Sequence, residues 1–230
     1  LWTTRTTEDA RPTFLSSAGV QQWGPSGATV WTTPAIDPAR GVIYVGTGQN
    51  ASSPATGTSD AIIALDMATG AVRWIFQATA GDAYNDACTT WPLGANCPPE
   101  RGPDHDFGAS VIMARTSAGK PILLAGQKSG EVHALDPDDR GRVIWQRRLS
   151  QGSWLGGVHW GMALEGARLF VPIADPEWPL AGYTPRPALF ALAIDDGRVL
   201  WDHPLARGCE TTLEAYNART EPWPECPWYY

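Results

Sequence analysis

Short apolar runs rich in β-branched and aromatic residues recur along the chain, separated by turns that contain Gly, Pro and Asp. Three pairs of these runs share one hairpin pattern: an apolar strand that includes Ala-Leu, a turn with Asp and Gly, and a strand that contains Trp. The hairpins span residues 60–77, 130–148 and 188–205, and their tryptophans are Trp74, Trp145 and Trp201. Trp2 stands where an earlier repeat would carry its tryptophan, so the pattern predicts a repeat architecture.

Two further strands precede each hairpin, which predicts four strands per repeat. The middle strands are expected at 41–48, 121–127 and 168–175, and the inner strands at 30–37, 107–114 and 159–165. Four-stranded units in tandem are typical of an all-β fold of the β-propeller class. The alternative is a β-sandwich whose tryptophans recur by coincidence.

The repeat predicts a partial β-propeller over residues 1–230. Its parts are the end of a preceding blade and a connection (1–29), a blade (30–77), a cysteine-containing loop (78–106), two further blades (107–148 and 149–205), and a cysteine-containing connection to another blade (206–230). Propellers use about 4–8 blades. We therefore expect the chain to be an excerpt from a longer ring, with about three blades of eight.

Composition narrows the classes of function. The chain has 24 glycines, 20 prolines and 12 tryptophans, which fits short strands joined by many turns. Its 17 basic residues are scattered and are outnumbered by 24 acidic ones, so no basic surface for nucleic acid is expected. No apolar run approaches the roughly 20 residues of a transmembrane helix. We expect no signal peptide in this stretch, because its start lacks a charged region followed by an apolar one.

The four cysteines fall in two segments rich in Pro, Thr and acidic residues: Cys88 with Cys97, and Cys209 with Cys226. We interpret them as two local disulfides, with free thiols as the alternative. Neither a C-x-x-C knuckle for zinc nor a C-x-x-C-H haem site occurs. An even number of loop cysteines favours an oxidising compartment.

Several motifs resemble the quinoprotein alcohol dehydrogenases, which use pyrroloquinoline quinone (PQQ), and in particular their polyvinyl-alcohol-dehydrogenase-like branch. The segment "ALDMATGAVRW" resembles the tryptophan-docking motif of these propellers, and "ATVWTTPAIDPARGVIYVGTGQN" resembles the segment that holds the cofactor. The resemblance implies that Trp31 is the floor under the quinone and that Thr29 hydrogen-bonds it. After the Gly-Thr-Gly turn, either Gln49 or Asn50 is the implied amide ligand of a calcium ion, which prefers oxygen ligands.

The segment "GPDHDFGASVI" resembles the family segment with the catalytic aspartate. Asp106 is the matching residue, and it is implied to be both the base that takes the alcohol proton and a metal ligand. Asp104 is its rival. In simpler family members the position would fall at Asn85 or Asp86, but the polyvinyl-alcohol branch carries a cysteine-containing insertion there, which favours Asp106. A Cys88–Cys97 disulfide would hold this loop over the site.

Two more segments complete the implied site. "AGQKSGEVHALD" matches the position of a cationic side chain near the quinone oxygens, which indicates Lys128, and "GGVHWGMALEG" indicates Trp160 as a cofactor contact beside a structural His159. The resemblance implies a periplasmic enzyme with PQQ and Ca²⁺ that oxidises alcohols, including polyvinyl alcohol, and passes electrons to cytochrome c. Part of the cofactor site is expected on other blades, so the chain alone should be nearly inactive. The alternative is a non-catalytic propeller scaffold that binds protein partners, of the outer-membrane assembly type.

Overall fold

The computed structural model describes residues 1–175 and 186–205, and within them the fold is all-β apart from a short 3₁₀ helix, Asp86–Cys88. The chain begins with a hairpin of β1 (Arg11–Leu15) and β2 (Gln21–Gly24), and β3 (Ser26–Gly27) pairs with β6 (Asn50–Ser52). The sequence pattern did not predict these four short strands. No helix in the described ranges is long and apolar enough to span a membrane.

Three four-stranded antiparallel sheets follow, which confirms the predicted propeller blades. The first contains β4 (Ala35–Asp37), β5 (Val42–Gly46), β7 (Ala61–Asp66) and β8 (Val72–Gln77). The second contains β9 (Ile112–Arg115), β10 (Pro121–Gly126), β11 (Glu131–Asp136) and β12 (Arg142–Arg148). The third contains β13 (Ala163–Glu165), β14 (Arg168–Ile173), β15 (Ala188–Ala193) and β16 (Val199–Pro204). We call them blades A, B and C.

The outer hairpin of every blade carries the same irregularity. In each one a tryptophan of the outer strand pairs with an alanine, and the register shifts directly after that alanine: Ala64 with Trp74, Ala134 with Trp145, and Ala191 with Trp201. An irregularity of this kind increases local twist and redirects the side chain. The repeated register therefore turns the tryptophans in an equivalent way.

Tryptophans of the repeat connect consecutive hairpins. The rings of Trp2, Trp74 and Trp145 cover the turn glycines of the next hairpins, which are Gly70, Gly141 and Gly197 respectively. The glycines have positive φ and no room for a Cβ, which at Gly141 would lie 2.6 Å from the Trp74 ring. The indole Nε1 of Trp145 also donates to the Ile194 carbonyl at 2.9 Å. The docking fixes each blade against its neighbour.

The apolar core lies between the sheets. Tyr44 and Ile62 of blade A pack with Leu123 of blade B and with Phe107, which precedes that blade, and a second cluster connects blade B to blade C. These side chains are almost completely buried. Removing such area from water is worth roughly 25 cal/mol per Å², so the stacked sheets stabilise one another.

The predicted inner strands begin too early in the sequence. Strand pairing starts at Ala35, Ile112 and Ala163, so Trp31, Phe107 and His159 lie in the segments before the inner strands. The reason is visible in blades B and C, where the backbone reaches the preceding structure instead of its own sheet. Phe107 N donates to Thr47 O at 3.1 Å, and Val158 N donates to Gln127 O at 3.0 Å.

Candidate active site

A buried ammonium group lies between two buried carboxylates. Lys128 Nζ is 2.7 Å from Asp106 Oδ2 and 3.2 Å from Asp104 Oδ1, and the three side chains are at most 10% exposed. Ionised groups are rarely buried unless they are paired. The sequence presented Asp104 and Asp106 as alternatives, whereas the structure gives both of them to the same lysine.

The backbone brings these residues together. Lys128 occupies the turn between β10 and β11, and its N–H donates to Asp106 O at 3.0 Å. The other carboxylate oxygen of Asp106, Oδ1, accepts the N–H of Gln49 at 2.8 Å. Asp106 is therefore held by the end of blade A on one side and by a turn of blade B on the other.

The indole of Trp31 forms a flat surface beside this cluster. Its ring centroid is 5.7 Å from Lys128 Nζ, within the range of a cation–π contact. The ring lies close to Gly48 and Gly108, where a Cβ would come within 3.2 Å of Nε1 and 2.7 Å of Cη2 respectively. Trp31 remains 38% exposed, so part of its surface is open to a ligand.

His159 and Trp160 stand at right angles to that surface. Their rings stack on each other at 4.6 Å and 3°, and both meet Trp31 edge-on at interplanar angles of 87° and 90°. His159 Nδ1 lies 3.2 Å from Leu155 O, and burial followed by the charge of Lys128 lowers the pKa of its imidazole. The three rings form a corner in which Trp160 is the most exposed member, at 66%.

The predicted metal amides differ in their contacts. Asn50 is fully buried; its Nδ2 donates to Ser26 O at 3.1 Å, and its Oδ1 accepts Thr56 N at 2.7 Å. Binding a metal through Asn50 would break the Thr56 contact. Gln49 Nε2 donates to Tyr84 O at 3.2 Å, while Gln49 Oε1 accepts no hydrogen bond from any described residue.

Thr29 and the predicted metal ligands are the remaining parts of the implied site. Thr29 is exposed and precedes Trp31 outside any strand, and its carbonyl accepts Gly48 N at 3.1 Å. Within residues 1–175 and 186–205, no three His, Cys, Asp or Glu side chains are grouped to hold a metal ion. Calcium at this site would need ligands in addition to Gln49 and Asp106.

Two further buried carboxyl groups lie near the cluster. Asp60 is fully buried with no hydrogen-bond partner for either carboxylate oxygen among the described residues, and burial raises its pKa to about 9. Asp82 is also fully buried, and its pKa is raised by burial. Burial and then the charge of Asp106 raise the pKa of Asp104 despite the nearby ammonium. The site thus concentrates more carboxyl groups than its one ammonium neutralises, which favours protonation of some of them.

The cysteine-containing loop ends directly at this cluster. Cys88 and Cys97 form the predicted disulfide, and Cys209 and Cys226 lie outside the described residues. Asn85 caps the 3₁₀ helix and donates to Ala51 O, and Asp86 is exposed, so neither resembles a buried base. The motifs did not predict the burial of Asp60 and Asp82; the Gly81-Asp82 pair was the sequence signal for Asp82, and Asp60 had none.

Two family profiles match the chain. Residues 1–102 match a profile described as "Glucose/ethanol/alcohol dehydrogenase, beta-propeller domain", and residues 113–221 match one described as "Outer membrane protein assembly factor BamB". The first description names the β-propeller fold that the sequence predicted. The enzyme profile covers Trp31 and Gln49, while the second covers Lys128 and Trp160.

Two curated relatives match nearly the whole chain. The chain is 42% identical over 208 residues to a polyvinylalcohol dehydrogenase of Pseudomonas sp, and 44% identical over 206 residues to that of Sphingopyxis sp. (strain 113P3). These alignments cover 90% and 88% of this chain but 32% and 31% of the relatives. The chain therefore spans about a third of the length of these proteins.

A solved structure shares the fold. The quinohemoprotein alcohol dehydrogenase from Comamonas testosteroni superimposes with a TM-score of 0.56 at 17% sequence identity. The superposition covers 79% of this chain and 35% of that protein. At this level of identity the similarity establishes the architecture of the blades.

Proposed function

Because this chain belongs to the quinoprotein alcohol dehydrogenase family, we propose that it supplies part of the active site of a PQQ-dependent enzyme that oxidises alcohols. The observation that carries the proposal is the buried Asp104–Lys128–Asp106 cluster beside the half-open ring of Trp31. A flat aromatic face next to a buried cation and a carboxylate suits a planar, electron-poor, anionic cofactor.

Each residue has a separate task in this proposal. When bound, PQQ would supply the two-electron chemistry by accepting hydride from the alcohol carbon. Trp31 would hold the cofactor at its exposed ring, and Trp160 would provide a second aromatic contact. Lys128 offers its ammonium to negative charge on a cofactor oxygen. Asp106 holds the alcohol hydroxyl and accepts its proton at a carboxylate oxygen.

The fixed geometry supports Asp106 as the base. Its backbone and both of its carboxylate oxygens are held, by Lys128 and by Gln49 N, before any substrate arrives. A preorganised group needs no reorganisation when charge moves during the reaction.

Calcium is the second proposed cofactor. Of the two predicted amides, Gln49 has the free carbonyl oxygen, and it is adjacent to Asp106 through its own N–H. We assign the amide ligand to Gln49 rather than Asn50. A hard oxygen ligand set of this type suits Ca²⁺, and the other ligands belong to parts of the complete protein beyond the described residues.

Substrate, partner and compartment follow from the relatives. Their name, polyvinylalcohol dehydrogenase, supports a secondary alcohol in a polymer as the substrate. We further propose that electrons pass to cytochrome c and that the protein is periplasmic. The Cys88–Cys97 disulfide supports an oxidising compartment.

The test uses the complete protein that contains this segment. It is loaded with PQQ and Ca²⁺, and dye reduction is followed with polyvinyl alcohol and with a small secondary alcohol. We expect cofactor-dependent reduction that falls by about 10²–10⁴ in Asp106→Asn, the range for a lost general base, and that falls also in Lys128→Ala. Reduction that needs no PQQ, or that survives both substitutions, would refute the proposal.

A second candidate is a non-catalytic scaffold. The match of residues 113–221 to an outer-membrane assembly factor favours it for that half of the chain. Such a scaffold has no need for a cation and a base buried beside an exposed indole. PQQ titration separates the two functions, because quenching of Trp31 fluorescence is expected of the enzyme and not of the scaffold.

A further inference from the structure

The carboxylate of Asp82 connects the beginning of the cysteine-containing loop to its end. Asp82 lies near the beginning of the loop, and its Oδ2 accepts the N–H of His105, the residue directly before Asp106, at 3.0 Å. The backbone amide of Asp104 also stabilises its negative charge. Asp82 is fully buried; Oδ2 is bonded to the His105 amide, and Oδ1 has no hydrogen-bond partner among the described residues.

The turn that Asp82 binds has an unusual backbone. Asp104 has φ of 59°, the left-handed region that non-glycine residues seldom adopt. Consecutive N–H groups around such a residue form a concave site for an anion. Here the N–H that follows Asp104 donates to Asp82 Oδ2, and this bond holds the strained turn in place.

Neighbouring contacts leave the carboxylate little freedom. A Cβ at Gly102 would lie 2.3 Å from Asp82 Oδ1, and the carbonyl of Asp82 accepts Asn50 N at 3.0 Å. The disulfide cannot take over this task, because it links Cys88 and Cys97 in the middle of the loop. Among the described residues, Asp82 is the side chain that connects the start of the loop to the His105 amide.

We propose that Asp82 is a positioning residue whose carboxylate fixes the turn from Asp104 to Asp106 and so keeps both carboxylates on Lys128. The inference rests on the proposed role of Asp106 as the base. It adds a residue that touches neither substrate nor cofactor and acts through the backbone. Substitution of Asp82 should displace the Asp106 carboxylate while leaving that carboxylate present.

The first experiment measures the turn without any catalysis. Hydrogen exchange of the His105 amide is compared in the wild type, Asp82→Ala, Asp82→Asn and the control Asp86→Ala, an exposed carboxylate of the same loop. We expect exchange about tenfold faster in Asp82→Ala, the factor for loss of one hydrogen bond. Asp82→Asn keeps an acceptor oxygen and should stay near the wild type, as should Asp86→Ala. Unchanged protection in Asp82→Ala would overturn the inference.

The second experiment measures the consequence in the complete, PQQ-loaded protein. Because a misplacement of about 1 Å can cost roughly 10²-fold, Asp82→Ala should lower kcat by about that factor and leave KM and PQQ affinity nearly unchanged. Asp82→Asn should restore most of the rate. A role in stability alone would instead lower the unfolding temperature and the loaded fraction, with normal kcat per bound cofactor, and that result would contradict the inference.

A further variant covers the case in which Asp82→Ala does not fold. Gly102→Ala keeps Asp82 but places a methyl group against its carboxylate, so it should accelerate His105 exchange and lower kcat in the same way. If the wild type oxidises no alcohol, the proposed function fails, whereas the exchange measurement still decides whether Asp82 holds the turn.

Discussion

Replacing Lys128 with methionine removes the ammonium and keeps most of the aliphatic stem. Two carboxylates then remain in a site where Lys128, Asp104 and Asp106 are each at most 10% exposed. Removal of one partner from a buried pair costs about 3–5 kcal/mol, because the remaining charge is uncompensated. Proton uptake by Asp104, whose pKa is already raised, relieves part of this cost. We expect the free energy of unfolding at pH 7 to fall by about 3 kcal/mol.

The loss should depend on pH in a defined direction. Without the ammonium, the pKa of Asp104 rises further in the folded state, while the carboxyl groups of the unfolded chain keep pKa values near 4. The folded variant then binds more protons than the unfolded one, so its stability decreases as the pH rises. The deficit relative to the wild type should therefore be small at pH 5 and largest at pH 8.

Urea unfolding followed by tryptophan fluorescence measures this deficit. Lys120, the other lysine in the sequence, is exposed in the turn between β9 and β10, which makes Lys120→Met the matched control. The double variant Lys128→Met with Asp106→Asn should recover at least half of the lost stability, since it removes one unpaired charge. Equal deficits in the two lysine variants, or a Lys128 deficit independent of pH, would refute a buried ion pair.

Three other predictions concern the surroundings of this pair. In Gly48→Ala, the new Cβ would lie 2.7 Å from Asp106 Oδ1. The rate of alcohol oxidation should therefore fall at least about tenfold while the fold is kept. An unchanged rate with polyvinyl alcohol or with a small secondary alcohol would contradict this. Because the pKa of Asp60 is raised to about 9, Asp60→Asn should gain stability relative to the wild type as the pH rises from 6 to 9. Denaturant titrations should show a gain of at most about 1.4 kcal/mol per pH unit. Parallel curves of stability against pH for the two proteins would be evidence against a neutral Asp60. Replacing Cys88 and Cys97 by serine should lower the free energy of unfolding by about 2–3 kcal/mol in calorimetry and increase protease cleavage between them, and equal stability would mean that the loop stays ordered without its crosslink.

The outer hairpins could be predicted because their information is local. In each one the apolar alternation, the turn with Asp and Gly, and the Trp follow within one short segment, and the observed strands match these positions. The segments around Trp31, Phe107 and His159 were assigned to strands incorrectly. Backbone N–H groups at Phe107 and Val158 bond across to preceding structure, and such long-range pairing leaves no local pattern.

The candidate site, like the fold, could be predicted from the sequence only in part. Family motifs brought Trp31, Asp106 and Lys128 to attention, and the structure places these three together. The motifs favoured Asp106 over Asp104 and could not show that both carboxylates contact Lys128, because the two share one ammonium only after the loop has folded. They also could not show that the Asn50 amide is committed to Ser26 and Thr56.

A series of backbone hydrogen bonds connects the site residues that belong to the three blades. Gly48 N donates to Thr29 O, Phe107 N to Thr47 O, Lys128 N to Asp106 O, and Val158 N to Gln127 O. The residues that would bind the cofactor are therefore attached to a bonded framework, and only their side chains extend from it. For this reason a substitution of Trp31 or Trp160 should change cofactor affinity with little effect on the distance between Lys128 and Asp106. A substitution at Asp82, which holds the framework itself, should change that distance while the aromatic corner stays intact.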